Sequence, residues 1–227
     1  MQKPIRTANY GVSQLFLVVV IMLTLCSCTK MVAGGWYNDY GVNRDDLYSV
    51  SSVNKIKNAL KDRNVYIRIY SVKVLGEIGA GAKDAIPELT MALDDVVPQV
   101  RWEAAKSLGL IGPGEDKNYS IESLAKRLDD NNSRVIGLSL YALSSLGVDD
   151  NNIINKMTSL MSHEHNAVRR QAMIAVCNTN NHSEEFIETL KLISASDTNV
   201  TNKKIASEIL NQISKTNKCS YNPLSNK

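Results

Sequence analysis

Residues 85–112 read AIPELTMALDDVVPQVRWEAAKSLGLIG, and the fold turns on this stretch. It divides at Asp94-Asp95. Before the break a helix is expected from about Asp84 to Leu93, with Pro87 in its opening turn, where a missing N–H does little harm. After the break a second helix begins at Pro98. Its apolar side chains, Val100, Ala104, Ala105, Leu108 and Ile111, fall on one helical stripe. Gly112 then stops it, as glycines after a last turn do. The stretch is therefore a helix pair, and neither member carries enough apolar surface to make an interior alone.

The same pattern recurs on both sides. Arg68 and Arg101, Leu75-Gly76 and Leu108-Gly109, and Ile78-Gly79 and Ile111-Gly112 are matched pairs at an offset of 33. A third copy, SRVIGLSLYALSSLG, places Val135, Leu143, Leu146 and Gly147 in register at an offset of 35. A fourth, NAVRRQAMIAVCN, places Val168-Arg169 in register at 33, and a degraded fifth lies near NVTNKKIASEILNQI. Periods of this length mean stacked supersecondary units. The expected pairs are about 51–79, 84–112, 120–147, 150–178 and 183–213. Ser120, Ser133, Asp150, Asn166 and Ser183 stand where a helix cap is wanted.

This pattern resembles the HEAT-repeat family, especially the short HEAT-like repeats first associated with phycobilin lyases. The resemblance covers about 60 to 213. It is carried by the Pro, the Asp pair, Val-Arg, Ala-Ala and Leu-Gly-x-Ile-Gly of residues 85–112, all in family order. It implies an all-α fold, a right-handed α-solenoid of about five helix-pair repeats. It also implies that the Asp and Arg form polar ladders between neighbouring repeats, so Arg68, Arg101, Arg169 and Asp95 are expected to be structural. Ile136 replaces the Arg in the third copy and interrupts that ladder.

The chain has 227 residues, 22% of them charged, with a net charge of +3. No dense basic patch is available, which argues against nucleic acid as a partner. Lys3 and Arg6 are the only charges before Lys30, and Leu15 to Leu25 is apolar except for Thr24. Eleven helical residues reach roughly 16 Å, about half of a bilayer's hydrocarbon thickness. A basic start, a short apolar run and then small residues is the layout of a secretory signal. Leu25-Cys26-Ser27-Cys28 resembles the lipobox of bacterial lipoproteins, with Ser27 at the cleavage position and Cys28 as the acylated residue. That resemblance implies removal of residues 1–27 and anchorage of the chain in a bacterial cell envelope. Thr29 in place of Asp leans towards the outer membrane, facing the periplasm. An uncleaved signal anchor and plain signal cleavage without lipid are the alternatives. Loss of residues 1–27 leaves a net charge of +1.

Chemistry is sparse. Of three histidines, His163 and His165 share the turn SHEHN, and with Glu164 or His182 they are the nearest approach to a metal set. Two ligands in a connector do not make a closed site, so no metal, no cofactor and no catalytic residue is expected. GAGAK, residues 79–83, follows a helix and not a strand, so it is a connector and not a phosphate loop. The enzymatic idea the family raises is a lyase- or chaperone-like action on a tetrapyrrole. Cys177 and Cys219 either pair, as an oxidising compartment allows, or stay apart as a buried thiol and a tail thiol.

The second helices present two rows of positions that the family leaves polar: Ile69, Trp102, Gly137, Arg170, and Lys73, Lys106, Tyr141, Ile174. Trp102 and Tyr141 flanked by Lys73, Lys106 and Arg170 are the candidate partner-binding surface, since aromatics with Arg anchor interfaces. The competing reading tucks Trp102 against a neighbouring repeat. The expected organisation is a leader (1–27), a tether or N-terminal cap (28–49), the repeats (50–213) and a loose polar tail (214–227). Trp36, Tyr37, Tyr40 and Tyr48 make the second segment too aromatic for a solvated linker, so it caps the first repeat or folds onto a partner. The expected function is that of an envelope scaffold or assembly factor binding a protein or peptide.

Overall fold

A computed structural model of the chain describes residues 40–41, 46–179 and 182–221. The leader, Cys28, Trp36 and Tyr37 lie outside the described residues. Among the described residues every regular element is a helix, and the helices fall in five pairs. The first pair is α1 (Val53–Asn58) and α2 (Val65–Ile78). Then follow α3 (Ile86–Ala92) with α4 (Pro98–Ile111), and α5 (Lys117–Lys126) with α6 (Ser133–Ser145). The last are α7 (Asn151–Ser159) with α8 (Asn166–Thr179), and α9 (Glu184–Ser196) with α10 (Val200–Thr216). The second helices stack in order, α2 on α4 on α6 on α8, which makes the molecule an all-α solenoid. The last pair differs. Its α10 packs far more on α9 than on α8.

The helix ends show what sets the boundaries. Asp150 caps α7 by accepting from the backbone N–H of Asn152 and Ile153, and Ser183 caps α9 by accepting from Phe186. The other three expected caps are displaced. Asn132, one residue before Ser133, accepts from Arg134 and Val135. Asp116 accepts from Tyr119, so α5 starts earlier and Ser120 is drawn inside it. There Ser120 is buried, its hydroxyl 3.2 Å from that of Thr90. Asn166 is the first residue of α8. At the other ends, Gly79 and Gly112 hold φ of 66° and 82°, a region that costs L side chains steric energy.

One core runs through all pairs. Ile56, Leu75, Leu89, Leu108, Leu124, Leu140, Met157 and Phe186 are fully enclosed. Each such side chain stabilises the fold by about 1.5–3 kcal/mol relative to exposure. Close approach of the second helices depends on missing side chains. A Cβ on Gly76 would lie 2.4 Å from the Ser107 hydroxyl, and one on Gly109 would lie 2.7 Å from the Tyr141 ring. The space so gained lets Ser107 Oγ donate to the Val72 carbonyl at 2.9 Å, tying α4 to α2.

Both ends are dressed by chain outside the repeats. Leu47 is buried, and Tyr40 donates from its hydroxyl to Asp62 Oδ2 at 2.5 Å. At the far end the tail, expected to be loose, is docked as far as Tyr221. Cys219 is bonded to Cys177 of α8, with the two Cα atoms 5.2 Å apart. Tyr221 N–H donates to Asn178 Oδ1 at 2.9 Å, and its hydroxyl donates to Glu208 Oε2 at 3.0 Å. A covalent bond and a buried aromatic outweigh the polar composition from which looseness was expected.

Candidate functional site

The connectors inside each pair carry a repeated polar device. Arg68 Nε and Nη2 fork onto the two oxygens of Asp95 at 2.7 and 3.0 Å. Arg101 does the same to Asp130 at 2.8 and 2.7 Å, and Arg169 to Asp197 at 2.7 and 2.8 Å. Each Arg also donates to a carbonyl in its own turn: Asp62, Asp95 and His163 respectively. Each Asp in addition accepts the N–H two residues on, as Asp95 does from Val97 and Asp130 from Asn132. One rung thus joins two successive repeats and closes a turn. These groups are enclosed, so fork geometry and full pairing are what make them tolerable in the interior. Burial pushes the Asp130 carboxyl up, but the Arg101 and Asn132 hydrogen bonds and the nearby guanidinium charges bring it below the ordinary range. The Arg169 hydrogen bonds take Asp197 down to about 2 against its burial, with help from Asn199 and Asn202.

The break in the ladder is coordinated. Where Ile136 replaces the Arg, the acceptor position in the next turn, equivalent to Asp130, is His163. His163 keeps half of the work: its Nδ1 accepts the His165 N–H at 3.0 Å, as the Asp does elsewhere. The His-x-His motif is thereby explained as turn chemistry. No group of three metal-ligating side chains occurs among the described residues. Asp62, with no repeat before it among the described residues, takes the Tyr40 hydroxyl in place of a guanidinium.

The candidate surface lies along the stacked second helices. Trp102 of α4 is half-buried, and Arg134 of α6 lies over its ring at 3.7 Å from the centroid. Tyr141 is half-buried with its ring over Gly109, and Ile174 is buried, so the second row is less open than its polar members suggested. Lys73 is exposed on α2 and 3.7 Å from Glu77. Lys106 and Arg170 line one open groove of about 390 Å³ with Arg134, Gly137, Leu138 and Gln171, crossing α4, α6 and α8. The structure thus gathers Lys106 and Arg170 at one place, sets Trp102 beside them through Arg134, and leaves Lys73 and Tyr141 away from the groove wall. Under Lys106 sits Glu103, 7% exposed, with Oε2 3.9 Å from the ammonium and without a hydrogen-bond partner. Burial raises its carboxyl, opposed by the charges of Lys106, Lys73 and Arg134.

Sequence reasoning missed Arg134 and Glu103. The signal was present in Gly137. It occupies the row of Ile69, Trp102 and Arg170 but has no side chain, so a neighbour one turn away is free to swing over the indole. A Cβ on Gly137 meets nothing within 4 Å, unlike one on Gly76 or Gly109. Packing therefore does not explain a glycine that costs about 1 kcal/mol in a helix interior.

Fold and family are consistent. Residues 53–144 match the family of HEAT repeats. No curated protein matches the chain significantly. Among solved structures, a designed armadillo repeat protein in complex with the peptide (KR)4 is 20% identical with a TM-score of 0.55, covering 89% of this chain and 95% of that one. A computationally designed armadillo repeat protein for modular peptide recognition is 19% identical at 0.57, covering 82% and 92%. The complex of CpcE and CpcF of phycocyanin lyase from Nostoc sp. PCC7120 is 20% identical at 0.54, covering 78% and 70%. The architecture defines an α-solenoid repeat protein. More particularly, its first three pairs are similar to HEAT repeats over residues 53–144.

Proposed function

We propose that this chain is a lipid-anchored protein of a bacterial envelope, facing the periplasm from the outer membrane, that binds a protein or peptide as a scaffold or assembly factor. The observation that carries the binding part is the groove across α4, α6 and α8, which is open, partly apolar and rimmed by Lys106, Arg134 and Arg170. Solenoids of similar fold include designed peptide binders. The anchoring part rests on the Leu25–Cys28 motif, with Cys28 as the acylated residue. The Cys177–Cys219 bond supports export, because such bonds persist in oxidising compartments. No helix among the described residues is long and apolar enough to cross a membrane; in this reading the lipid chains on Cys28 supply the attachment. Tethering keeps the groove at high local concentration near membrane partners.

Two measurements test the reading. Labelling with radioactive palmitate should mark the wild type and not Cys28→Ser; an unlabelled wild type ends the anchoring half. Cross-linking in native membranes should capture one stoichiometric protein; capture of none ends the binding half. A second reading, lyase-like action on a tetrapyrrole, draws on the fold shared with phycocyanin lyase. A visible absorption band on the purified protein would favour it.

A further inference from the structure

Resting on the protein-binding reading, we infer that the groove over Gly137 takes an acidic, extended segment of its partner. Three cations, Lys106, Arg134 and Arg170, line it, and the carboxylate beside them, Glu103, is buried with its Oε2 3.9 Å from the Lys106 ammonium. They come from three successive second helices, so their charge follows the stack and not one helix. Two interhelical spacings of about 8–10 Å place the outer pair some 16–20 Å apart, which an extended chain crosses in about six residues. Arg134 already spends one guanidinium face on Trp102, and this fixes its orientation while its N–H edges remain able to fork onto a carboxylate.

Gly137 is the second, independent mark. It stands where the neighbouring copies carry Ile69, Trp102 and Arg170, its Cβ position is empty, and no packing partner requires it to be glycine. Among residue types it is the least suited to a helix interior short of proline. What its hydrogen provides is the hollow itself, a seat for a side chain between Trp102 and Arg170. The charge here is opposite to what a basic peptide such as (KR)4 requires. A net charge of +3 and a mere three groove cations are too few for strong attraction to a phosphate backbone.

Fluorescence anisotropy with a labelled octapeptide, (DE)4, against the full chain at low salt tests this. Saturable binding is expected, weakened at least tenfold by 0.3 M salt, with no binding of (KR)4. Gly137→Phe fills the hollow and should weaken (DE)4 at least tenfold while the melting temperature stays at or above that of the wild type. Should Gly137→Phe fail to fold, Arg170→Glu should produce the same loss from the rim. Undiminished binding by either folded variant overturns the proposal. So does tighter binding of the oligonucleotide dT8 or of phosphatidylglycerol vesicles, which would assign the cations to phosphate. Native cross-linking separates this inference from its basis: a partner still captured by Gly137→Phe keeps the protein-binding reading and removes the groove from it.

Discussion

Arg101 is 8% exposed, and the Asp130 carboxylate it holds is more enclosed still, so this rung shows what the ladder contributes. Removing one partner of a buried pair leaves an uncompensated charge and costs about 3–5 kcal/mol. Arg101→Ile should lose stability by that amount in urea unfolding. The chain itself suggests the rescue. Its third repeat carries Ile136 where the Arg would be, and the acceptor position of the following turn is His163, whose ring nitrogen still caps that turn. Arg101→Ile combined with Asp130→His should therefore lose less than Arg101→Ile alone. Equal losses would mean that the His substitution at the third rung is unrelated to the missing Arg. The Arg and Asp positions were legible in the sequence because they repeat. The meaning of His163 was not, because a turn nitrogen and a metal ligand look alike until the backbone around them is known.

Helix interiors give a paired comparison. Gly76→Ala would drive a methyl to within 2.9 Å of Ser107 Cβ and 3.0 Å of its Cα, so α2 and α4 must separate. Overpacking of this kind costs about 1–3 kcal/mol. Gly137→Ala meets open space and should gain about 0.5–1 kcal/mol from helix propensity alone. Thermal melts of the two variants should move in opposite directions; a loss at both would mean that Gly137 is also a packing residue. The helix pairs themselves were readable from residues 85–112, since apolar spacing, proline and glycine all agreed. Cap positions were less so, because runs such as DDNNS offer several capping side chains within one turn. The connector before α10 supplies a pH test. Asp197 has its folded pKa depressed to about 2, chiefly by Arg169, so the native state binds fewer protons than the unfolded chain between there and about 4. Its contribution, about 2 kcal/mol, is complete above pH 4 and is lost as pH falls through 2. Asp197→Asn should flatten the stability profile across that window relative to wild type; an identical slope would assign acid sensitivity elsewhere.

Across the whole stack, stability is a sum of pair and interface terms, so the thinnest interface decides where opening begins. That interface is the last one, where α10 rests lightly on α8 and mostly against α9. The Cys177–Cys219 bond spans it: the loop it closes contains the whole final pair, its ends separated by 42 in sequence. On the chain-entropy account a loop of that length is worth about 4 kcal/mol. Asn178 and Tyr221 add a non-covalent clasp beside it. The bond was only half legible in the sequence, because two cysteines separated by a helix pair meet only if the tail turns back on itself. Reduction should therefore act locally before it acts globally. Hydrogen exchange after treatment with a thiol reductant should show protection lost across α9 and α10 while α2, α4 and α6 keep theirs, and Cys219→Ser should behave as the reduced wild type. Loss spread evenly over all five pairs would mean that the stack opens as one unit and that the clasp holds no separate part of it.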